Sequence, residues 1–401
     1  MPIRTTPFHA RTSALNETGL WSHWSGHLAA ERYQLSEKAE YVSLRNAAGI
    51  ADVSPLFKYR FTGPGAERFL AGVLARDPRP LRPGEAHYAL WCDDRGFLVE
   101  DGVLLRHGPQ EFVLTAAEPN LAYFEDLRRP RDEVAIEDVS ADWAVLALQG
   151  PRSRSLLASL DGRIDGLAYF GHGPARIGGR EVHVSRTGYT GDLGYEVWCR
   201  AEHALDVWDA VWAATRGHGV EPFGLQALYM ARIEAGLLLL DVDFRDSRFA
   251  WTDADRATPL ELGLGWALRD LPATDRAFIG RDALRRELLD CTSRFRTTGI
   301  VVDYAAWNRH HDAAGLVPPM DHTPVQEEQY LYDDAGEQIG FCTSFMYSPV
   351  LQRHVGIARV PVAQAAPGSR VNLEIPISHR YVHVAAATAR LPHFNPQRKT
   401  A

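Results

Sequence analysis

The chain has 401 residues, of which 45% are apolar and 23% charged, as is typical of a soluble globular protein with two or three domains. The net charge of −8 argues against nucleic acid or an anionic membrane surface as the main partner. Four widely spaced cysteines predict free thiols rather than a zinc site or a disulfide framework. Without an apolar run of membrane-spanning length or a secretion signal, we expect a cytoplasmic protein.

A predicted hairpin carries the first informative pair of residues. Two alternating segments flank the turn sequence Asp-Asp-Arg-Gly at 93–96. A four-residue turn places Tyr88 directly opposite Asp101, so the phenol and the carboxylate can act on one ligand. A carboxylate in such apolar sequence needs a partner or a function. The alternative is that Asp101 lies at the rim of the sheet and starts a turn with Gly102.

Residues 185–196 contain three glycines, spaced three apart, between two alternating segments. This pattern predicts a hairpin with a tight loop that lets a ligand approach the backbone. Tyr189 projects from the loop and Glu196 opens the second strand. An aromatic face beside a fixed carboxylate suits a flat heterocycle with N–H donors. The alternative is an ordinary glycine-rich turn.

Helices and strands alternate without a strict β-α-β repeat, which favours the α+β class. From about residue 297, short alternating strands separated by turns predict a small β-barrel or sandwich of about 100 residues. His310, His311, Asp312 and His322 fall in this part of the chain. We interpret their surroundings as a proline-rich loop whose spacing fixes no ligand geometry, and therefore expect no metal site.

Several motifs occur in one order along nearly the whole chain. The ordered set resembles the T-protein of the glycine cleavage system and its folate-dependent relatives. The motifs are Ala-Gly-Ile-Ala-Asp-Val-Ser at 48–54, Phe-Thr-Gly-Pro-Gly-Ala at 61–66, Gly-Phe-Leu-Val-Glu-Asp at 96–101, Leu-Gln-Gly-Pro at 148–151, the stretch 185–196, Arg-Ile-Glu-Ala-Gly at 232–236, and Phe-Ile-Gly-Arg at 278–281.

The resemblance implies a three-domain clover-leaf that holds tetrahydrofolate in a central hole. We expect residues 1–290 to form the folate-binding aminomethyltransferase region, as two interleaved α+β domains, and residues 291–401 to form a C-terminal β-barrel. By the family's motifs, Asp101 is the acidic residue beside the reacting folate nitrogens. The residues that the resemblance assigns to folate binding are Tyr88, Val113, Thr115, Tyr189, Glu196 and Trp266.

The end of the site that receives the one-carbon donor departs from the T-protein pattern. Leu228 stands where the T-protein has a ligand-binding arginine, and Tyr229 stands where it has an aspartate. Together with Arg232, these residues are the predicted substrate contacts. The departures indicate a donor other than the lipoyl-linked aminomethyl group.

The leading prediction is a tetrahydrofolate-dependent methyltransferase that demethylates a small N-, S- or O-methyl compound. The first alternative is a glycine cleavage aminomethyltransferase, which takes its substrate from a lipoyl carrier protein and releases methylenetetrahydrofolate and ammonia. The second alternative is a folate-binding protein without turnover. Retention of Asp101 argues against the second alternative.

Overall fold

The structure is a computed structural model that describes residues 3–401. Its helices are α1 His9–Leu15, α2 Glu37–Asn46, α3 Ala66–Val73, α4 Leu121–Leu127, α5 Ser153–Leu160, α6 Ala204–Thr215, α7 Leu225–Glu234, α8 Arg281–Asp290 and α9 Tyr304–Ala313. Its strands are β1 Trp21–Trp24, β2 His27–Ala30, β3 Ala48–Asp52, β4 Phe57–Thr62, β5 Ala86–Cys92, β6 Leu98–Gly108, β7 Glu111–Ala116, β8 Ala135–Asp138, β9 Trp143–Gln149, β10 His172–Ile177, β11 Arg180–Ser185, β12 Gly194–Arg200, β13 Val220–Pro222, β14 Arg296–Val302, β15 Gln329–Tyr332, β16 Gln338–Ser348, β17 Arg353–Val360, β18 Arg370–Ile377 and β19 Arg380–Ala389.

Three sheets organise the chain. The first sheet has the strand order β5-β6-β7-β4-β8, and the second has the order β10-β11-β12-β9-β3-β13. Strand β3 comes from the N-terminal part of the chain, yet it pairs with both β9 and β13 inside the second sheet. The whole first sheet is therefore inserted between β3 and β9. Strands β14 to β19 close into a barrel in the order β14-β17-β16-β15-β18-β19, so the predicted C-terminal unit is a barrel rather than a sandwich, and β1 and β2 form a separate two-stranded sheet.

The helix predicted near the start of the first sheet illustrates how sequence pattern becomes packing. In α3, Ala66, Phe69, Leu70 and Val73 recur at three- and four-residue steps and are all buried. This is the spacing of one helical face, and burying it stabilises the helix against the first sheet. Gly65 precedes the helix where a β-carbon would clash with the Asp132 carbonyl oxygen.

Helix α7 lies where the three sheets meet. One apolar cluster contains its buried residues together with side chains from every sheet. These are Leu105 and Val113 of the first sheet, Val145 and Trp198 of the second, Met346 and Val355 of the barrel, and Ala227, Met230 and Ile233 of the helix. No helix in the described part of the chain is long and apolar enough to span a lipid bilayer.

The predicted register of the β5–β6 hairpin is wrong by two residues. Tyr88 pairs with Val103, and Leu90 pairs with Asp101. The Asp93 side chain accepts the backbone N–H groups of Arg95 and Phe97, so the turn extends to Phe97 and Cys92 pairs with Leu98. An irregularity between Trp91 and Cys92 then adds one more residue on the β6 side. Because side chains alternate with a period of two, a two-residue slip keeps both side chains on one face.

The rim alternative for Asp101 is also wrong, because Asp101 and Gly102 lie inside β6 rather than in a turn. A β-carbon on Gly102 would clash with the Thr115 carbonyl oxygen of the neighbouring strand. The glycine therefore permits close pairing of β6 with β7. The loop assigned to His310 and His311 is corrected in the same way, since both residues lie in α9.

Candidate active site

The predicted pair at the centre of the site forms a direct hydrogen bond. The Tyr88 hydroxyl donates to Asp101 Oδ2 at 2.7 Å. The two residues are diagonal neighbours on one face of the β5–β6 pair. Both are half-buried, whereas Leu90, which pairs with Asp101, is fully buried. Trp266 stacks on the Tyr88 ring with a centroid distance of 5.8 Å and an interplanar angle of 25°. A carboxylate, a phenol and an indole thus share one partly open surface.

Burial shapes the acidity of Asp101. The loss of water around the carboxylate raises its pKa to about 6, while the hydrogen bond from Tyr88 acts in the opposite direction. Burial, together with the adjacent Asp101 charge, raises the pKa of Tyr88 well above its ordinary value, so this phenol remains a donor at neutral pH. Asp101 is then mostly ionised at pH 7 and still basic enough to accept a proton.

Tyr189 reaches the same region from the loop between β11 and β12. Its hydroxyl donates to the Leu238 carbonyl, which fixes the ring beside the start of the chain that follows α7. The charges that act on this phenol include Asp101 of the first sheet and Arg232 of α7. Tyr189 is therefore the residue that brings the glycine-containing loop toward the Tyr88–Asp101 pair.

Glu196 lies at the start of β12, opposite Ser185 in the predicted hairpin, whose two-strand pairing is confirmed. Its carboxylate accepts the Thr187 hydroxyl at 2.6 Å, and burial raises its pKa. Lys58, which is fully buried, contributes a nearby positive charge, and its own pKa is lowered by burial to about 8. The Lys58 ammonium is held by the carbonyls of Ser54 and Leu56 at 2.9 and 2.6 Å.

The three loop glycines lie where a side chain would clash with neighbouring protein groups. A β-carbon at Gly188 or at Gly194 would clash with the Gln149 side chain, and one at Gly191 would clash with Ala235. Gln149 donates to the carbonyls of Thr187 and Tyr195, both at 3.2 Å. The glycines thus make room for protein groups that fasten the loop, and the expectation that they let a ligand approach the backbone stays a prediction.

Other predicted contacts are engaged within the protein. The Thr115 hydroxyl accepts the Val103 N–H at 3.0 Å, and Val113 is buried in the apolar cluster around α7. Arg232 is fully buried, donates to Asp243 at 2.5 Å and also binds Ser344 at 2.8 Å.

Leu228 and Tyr229 are adjacent on α7 but differ in exposure. Leu228 is buried and lines a cavity of about 20 Å³ with Trp24 and Asp52, room for about one water. Tyr229 is half-buried and, like Tyr189, packs against the apolar cluster around α7. Of the predicted donor-end residues, Tyr229 is thus the one that is partly exposed.

The sequence reasoning missed two groups next to the predicted site. Glu100, adjacent to Asp101 in β6, is fully buried, and burial raises its pKa to about 8. Its carboxylate accepts the Glu118 N–H at 3.1 Å and the Asn120 side-chain amide at 2.5 Å, so it holds the segment after β7. Arg76 lies 5.5 Å from the Trp266 ring centroid. The Glu-Asp pair in an apolar segment was a usable signal for Glu100, whereas nothing local marked Arg76.

Comparison with known proteins agrees with this architecture. The family of the GCVT N-terminal domain matches residues 9–270, and the family of the glycine cleavage T-protein C-terminal barrel domain matches residues 312–394. The chain is 31% identical over 401 residues to the aminomethyltransferase of Streptomyces coelicolor, covering 99% of each chain.

Two further relatives carry other names. The trimethylamine-oxide aldolase of Ruegeria pomeroyi is 32% identical over 372 residues, which are 90% of this chain but 43% of that enzyme. This chain therefore spans less than half the length of that relative. The heme-dependent oxidative N-demethylase gamma subunit of Ectopseudomonas mendocina is 31% identical over 398 residues, with 97% of each chain covered.

The crystal structure of the glycine cleavage system aminomethyltransferase T from Bartonella henselae matches with a TM-score of 0.81 over 98% of this chain and 99% of that chain, at 24% identity. This match confirms the predicted α+β aminomethyltransferase fold with its C-terminal barrel. The family matches confirm the resemblance inferred from the motifs and, with it, the expectation of a one-carbon transferase. The chain belongs to the glycine cleavage T-protein family.

Proposed function

We propose that this protein is a tetrahydrofolate-dependent methyltransferase that removes a methyl group from a small N-, S- or O-methyl compound. The observation that carries the proposal is the Tyr88–Asp101 pair beneath Trp266. The pair provides a carboxylate with a pKa of about 6, mostly ionised at pH 7, beside a partly open aromatic surface. Such a group can hold an amine and accept a proton from it near neutral pH.

The residues on this surface fit a reduced pterin. Tyr88 occupies one acceptor position of Asp101, and a carboxylate offers further positions to N–H donors. Trp266 is 47% exposed although it stacks on Tyr88, so part of the indole is free to cover a flat ring. Tetrahydrofolate, when bound, supplies the nucleophilic nitrogen that receives the one-carbon unit.

The protein's own contribution is alignment, proton transfer and exclusion of water. Tyr88 and Trp266 would orient the ring, and Tyr189 would close the opposite side. Asp101 would take up the proton released when the folate nitrogen acquires its new bond. Holding two reactants in line is worth effective molarities of roughly 10⁵ M or more.

The donor end supports a small substrate. Arg232 is engaged by Asp243 and Ser344, and Leu228 is buried. Tyr229 is half-buried and packs, like Tyr189, against the apolar cluster around α7, and two phenol faces suit a methylated cation. Two relatives have names that refer to methylated amines or N-demethylation, which favours an N-methyl amine as the first donor class to test.

A second candidate function is aminomethyl transfer from a lipoyl carrier protein, as in glycine cleavage. The observation that favours it is the match to the Streptomyces coelicolor aminomethyltransferase over 99% of both chains. Leu228 argues against this function, because an apolar buried side chain replaces the arginine expected from the T-protein pattern.

The test supplies the protein with tetrahydrofolate and either a panel of methyl donors or an aminomethyl-loaded lipoyl carrier protein. Mass spectrometry then identifies the folate product. The Asp101→Asn variant is run beside Asp94→Asn, which changes an exposed aspartate in the neighbouring turn. The proposal predicts methyltetrahydrofolate with a particular donor, loss of transfer in Asp101→Asn and full transfer in Asp94→Asn.

The other outcomes distinguish the rivals. Methylenetetrahydrofolate formed only with the carrier protein would establish the second candidate. Folate binding without any product, unchanged in Asp101→Asn, would indicate a binding protein without turnover and would overturn the enzymatic proposal.

A further inference from the structure

A group of three histidines lies at the seam between the first two sheets, apart from the candidate active site. His107 is near the end of β6, His172 begins β10, and His183 lies within β11. Each offers a ring nitrogen, and these nitrogens all lie within 4.8 Å of one another. We refer to these residues as the three-histidine cluster.

Backbone pairing explains why the cluster forms. Strand β10 pairs with β11 so that His183 faces Pro174, which makes His172 and His183 diagonal neighbours on one face. The seam is fixed by the His172 N–H, which donates to the Gly84 carbonyl at 2.8 Å, and by a bridge between Glu85 and Gly171. These bonds bring the second sheet against β6, where His107 is located.

Hydrogen bonding orients the ring nitrogens of the cluster so that they can act as ligands. His172 Nε2 lies 3.1 Å from the Glu85 carbonyl, which accepts its proton, so that the lone pair of His172 is on Nδ1 and faces His183. His172 Nδ1 lies 2.5 Å from His183 Nε2. Neutral imidazole is the form that binds a metal ion.

The arginine that precedes His107 in the sequence has its guanidinium engaged by other groups. Arg106 adjoins His107 in β6, but its guanidinium is paired with Glu67 at 2.7 Å and donates to the Leu81 carbonyl at 2.8 Å. His107 and His183 are half-buried, whereas His172 is buried. The cluster is therefore partly accessible to an ion from solvent.

We propose that the three-histidine cluster binds one divalent transition-metal ion of the Zn²⁺ type, with three imidazole ligands and a fourth position taken by water. Neutral imidazole suits Zn²⁺, which prefers four-coordinate tetrahedral sites. The backbone carbonyl of Glu85 would act as the second-layer acceptor that orients His172. Binding displaces the proton shared between His172 and His183 onto the outer nitrogen of His183.

The ion would join two sheets rather than take part in folate chemistry. His107 and Asp101 are six residues apart on β6, which corresponds to about 20 Å at the rise of an extended strand. Two ligands belong to the second sheet and one to the first. We expect the bound ion to stabilise the folded chain, since binding to the folded state alone shifts the unfolding equilibrium.

The experiment uses full-length protein without a histidine tag, stripped with a chelator and dialysed. Zinc binding is measured by titration calorimetry, and Co²⁺ is added in parallel to report tetrahedral coordination through its visible absorption. Wild type is compared with His107→Gln, His183→Gln and the control His218→Gln, which changes an exposed histidine outside the cluster. Far-ultraviolet circular dichroism verifies that each variant is folded.

We expect one zinc ion per wild-type chain, a higher melting temperature with zinc, and the same behaviour in His218→Gln. The two cluster variants should bind at least tenfold more weakly and show no zinc-dependent rise in melting temperature. X-ray absorption of the zinc-loaded wild type should show three imidazole ligands at about 2.0–2.1 Å, a readout that needs no variant. Absence of wild-type binding, or binding unaffected in both cluster variants, would overturn the proposal and leave the cluster as neutral aromatic packing.

Discussion

Replacing Tyr88 with phenylalanine isolates the hydrogen bond that sets the acidity of Asp101. The substitution removes the hydroxyl that lies 2.7 Å from Asp101 Oδ2, and the ring remains to stack on Trp266. A hydrogen bond to a charged group is worth about 1.5–3 kcal/mol. At about 1.4 kcal/mol per pH unit, its loss should raise the Asp101 pKa by about 1–2 units.

The expected change appears in the pH dependence of folate affinity. From a wild-type pKa of about 6, the Asp101 transition should move to about 7–8 in Tyr88→Phe. If the ionised carboxylate holds the folate amine, wild-type affinity should weaken tenfold per pH unit below about pH 6. The variant should begin to weaken already below about pH 7–8 and regain wild-type affinity near pH 9.

The assay is anaerobic titration calorimetry with tetrahydrofolate between pH 5 and 9. Tyr189→Phe is the matched control, because its hydroxyl binds the Leu238 carbonyl rather than Asp101. This control can weaken folate binding overall but should leave the transition near pH 6. A transition in Tyr88→Phe that stays at the wild-type pH, or moves lower, would refute the assigned role of the hydrogen bond.

Three further predictions concern the free energy of unfolding, measured by urea denaturation. Buried His87 has its pKa lowered from 6.5 to about 3, so only the unfolded chain gains a proton as the pH falls below about 6.5. Stability should therefore fall by about 2 kcal/mol between pH 7.5 and pH 5 through this residue, and His87→Gln should lack that part of the loss. Gly191 and Gly179 both have positive φ, +71° and +75°, but a β-carbon clashes only at Gly191. Gly179→Ala should cost about 1–2 kcal/mol, and Gly191→Ala a further ~1–3 kcal/mol; equal losses would contradict the packing argument. Arg232→Met should cost about 3–5 kcal/mol because it leaves Asp243 buried and unpaired, and adding Asp243→Asn should recover part of that loss.

The sequence predicted those features that depend on local patterns. Alternation and turn residues located both hairpins, and one helical face placed α3. The proximity of Tyr88 and Asp101 followed from the period of two along a strand, which survives a slip of two residues. The register itself did not follow, because the Asp93 turn and the irregularity beside Trp91 depend on side-chain hydrogen bonds that a pattern does not specify.

Features that join distant segments were beyond local patterns. The Gln149 side chain occupies the space that a β-carbon at Gly188 or Gly194 would need, yet Gln149 is nearly 40 residues before Gly188 in the sequence. Arg232 belongs to a motif, but its partner Asp243 is revealed by the fold alone. His107 and His172 are 65 residues apart in sequence and become neighbours because the two sheets share a seam. In each case the informative quantity is a tertiary distance.

The insertion of the first sheet between β3 and β9 has a consequence for how the chain folds. The first sheet is continuous in sequence, so its strands can pair as soon as residues 57–138 are available. Strand β3 can complete its pairing only after β9 and β13 have been reached along the chain, and β13 begins about 170 residues after β3. Closing so long a segment costs conformational entropy before its contacts form, and such non-local pairing slows folding. We therefore expect the second sheet to form late. A contiguous fragment from β9 to β13 would lack β3, which is an internal strand of this sheet.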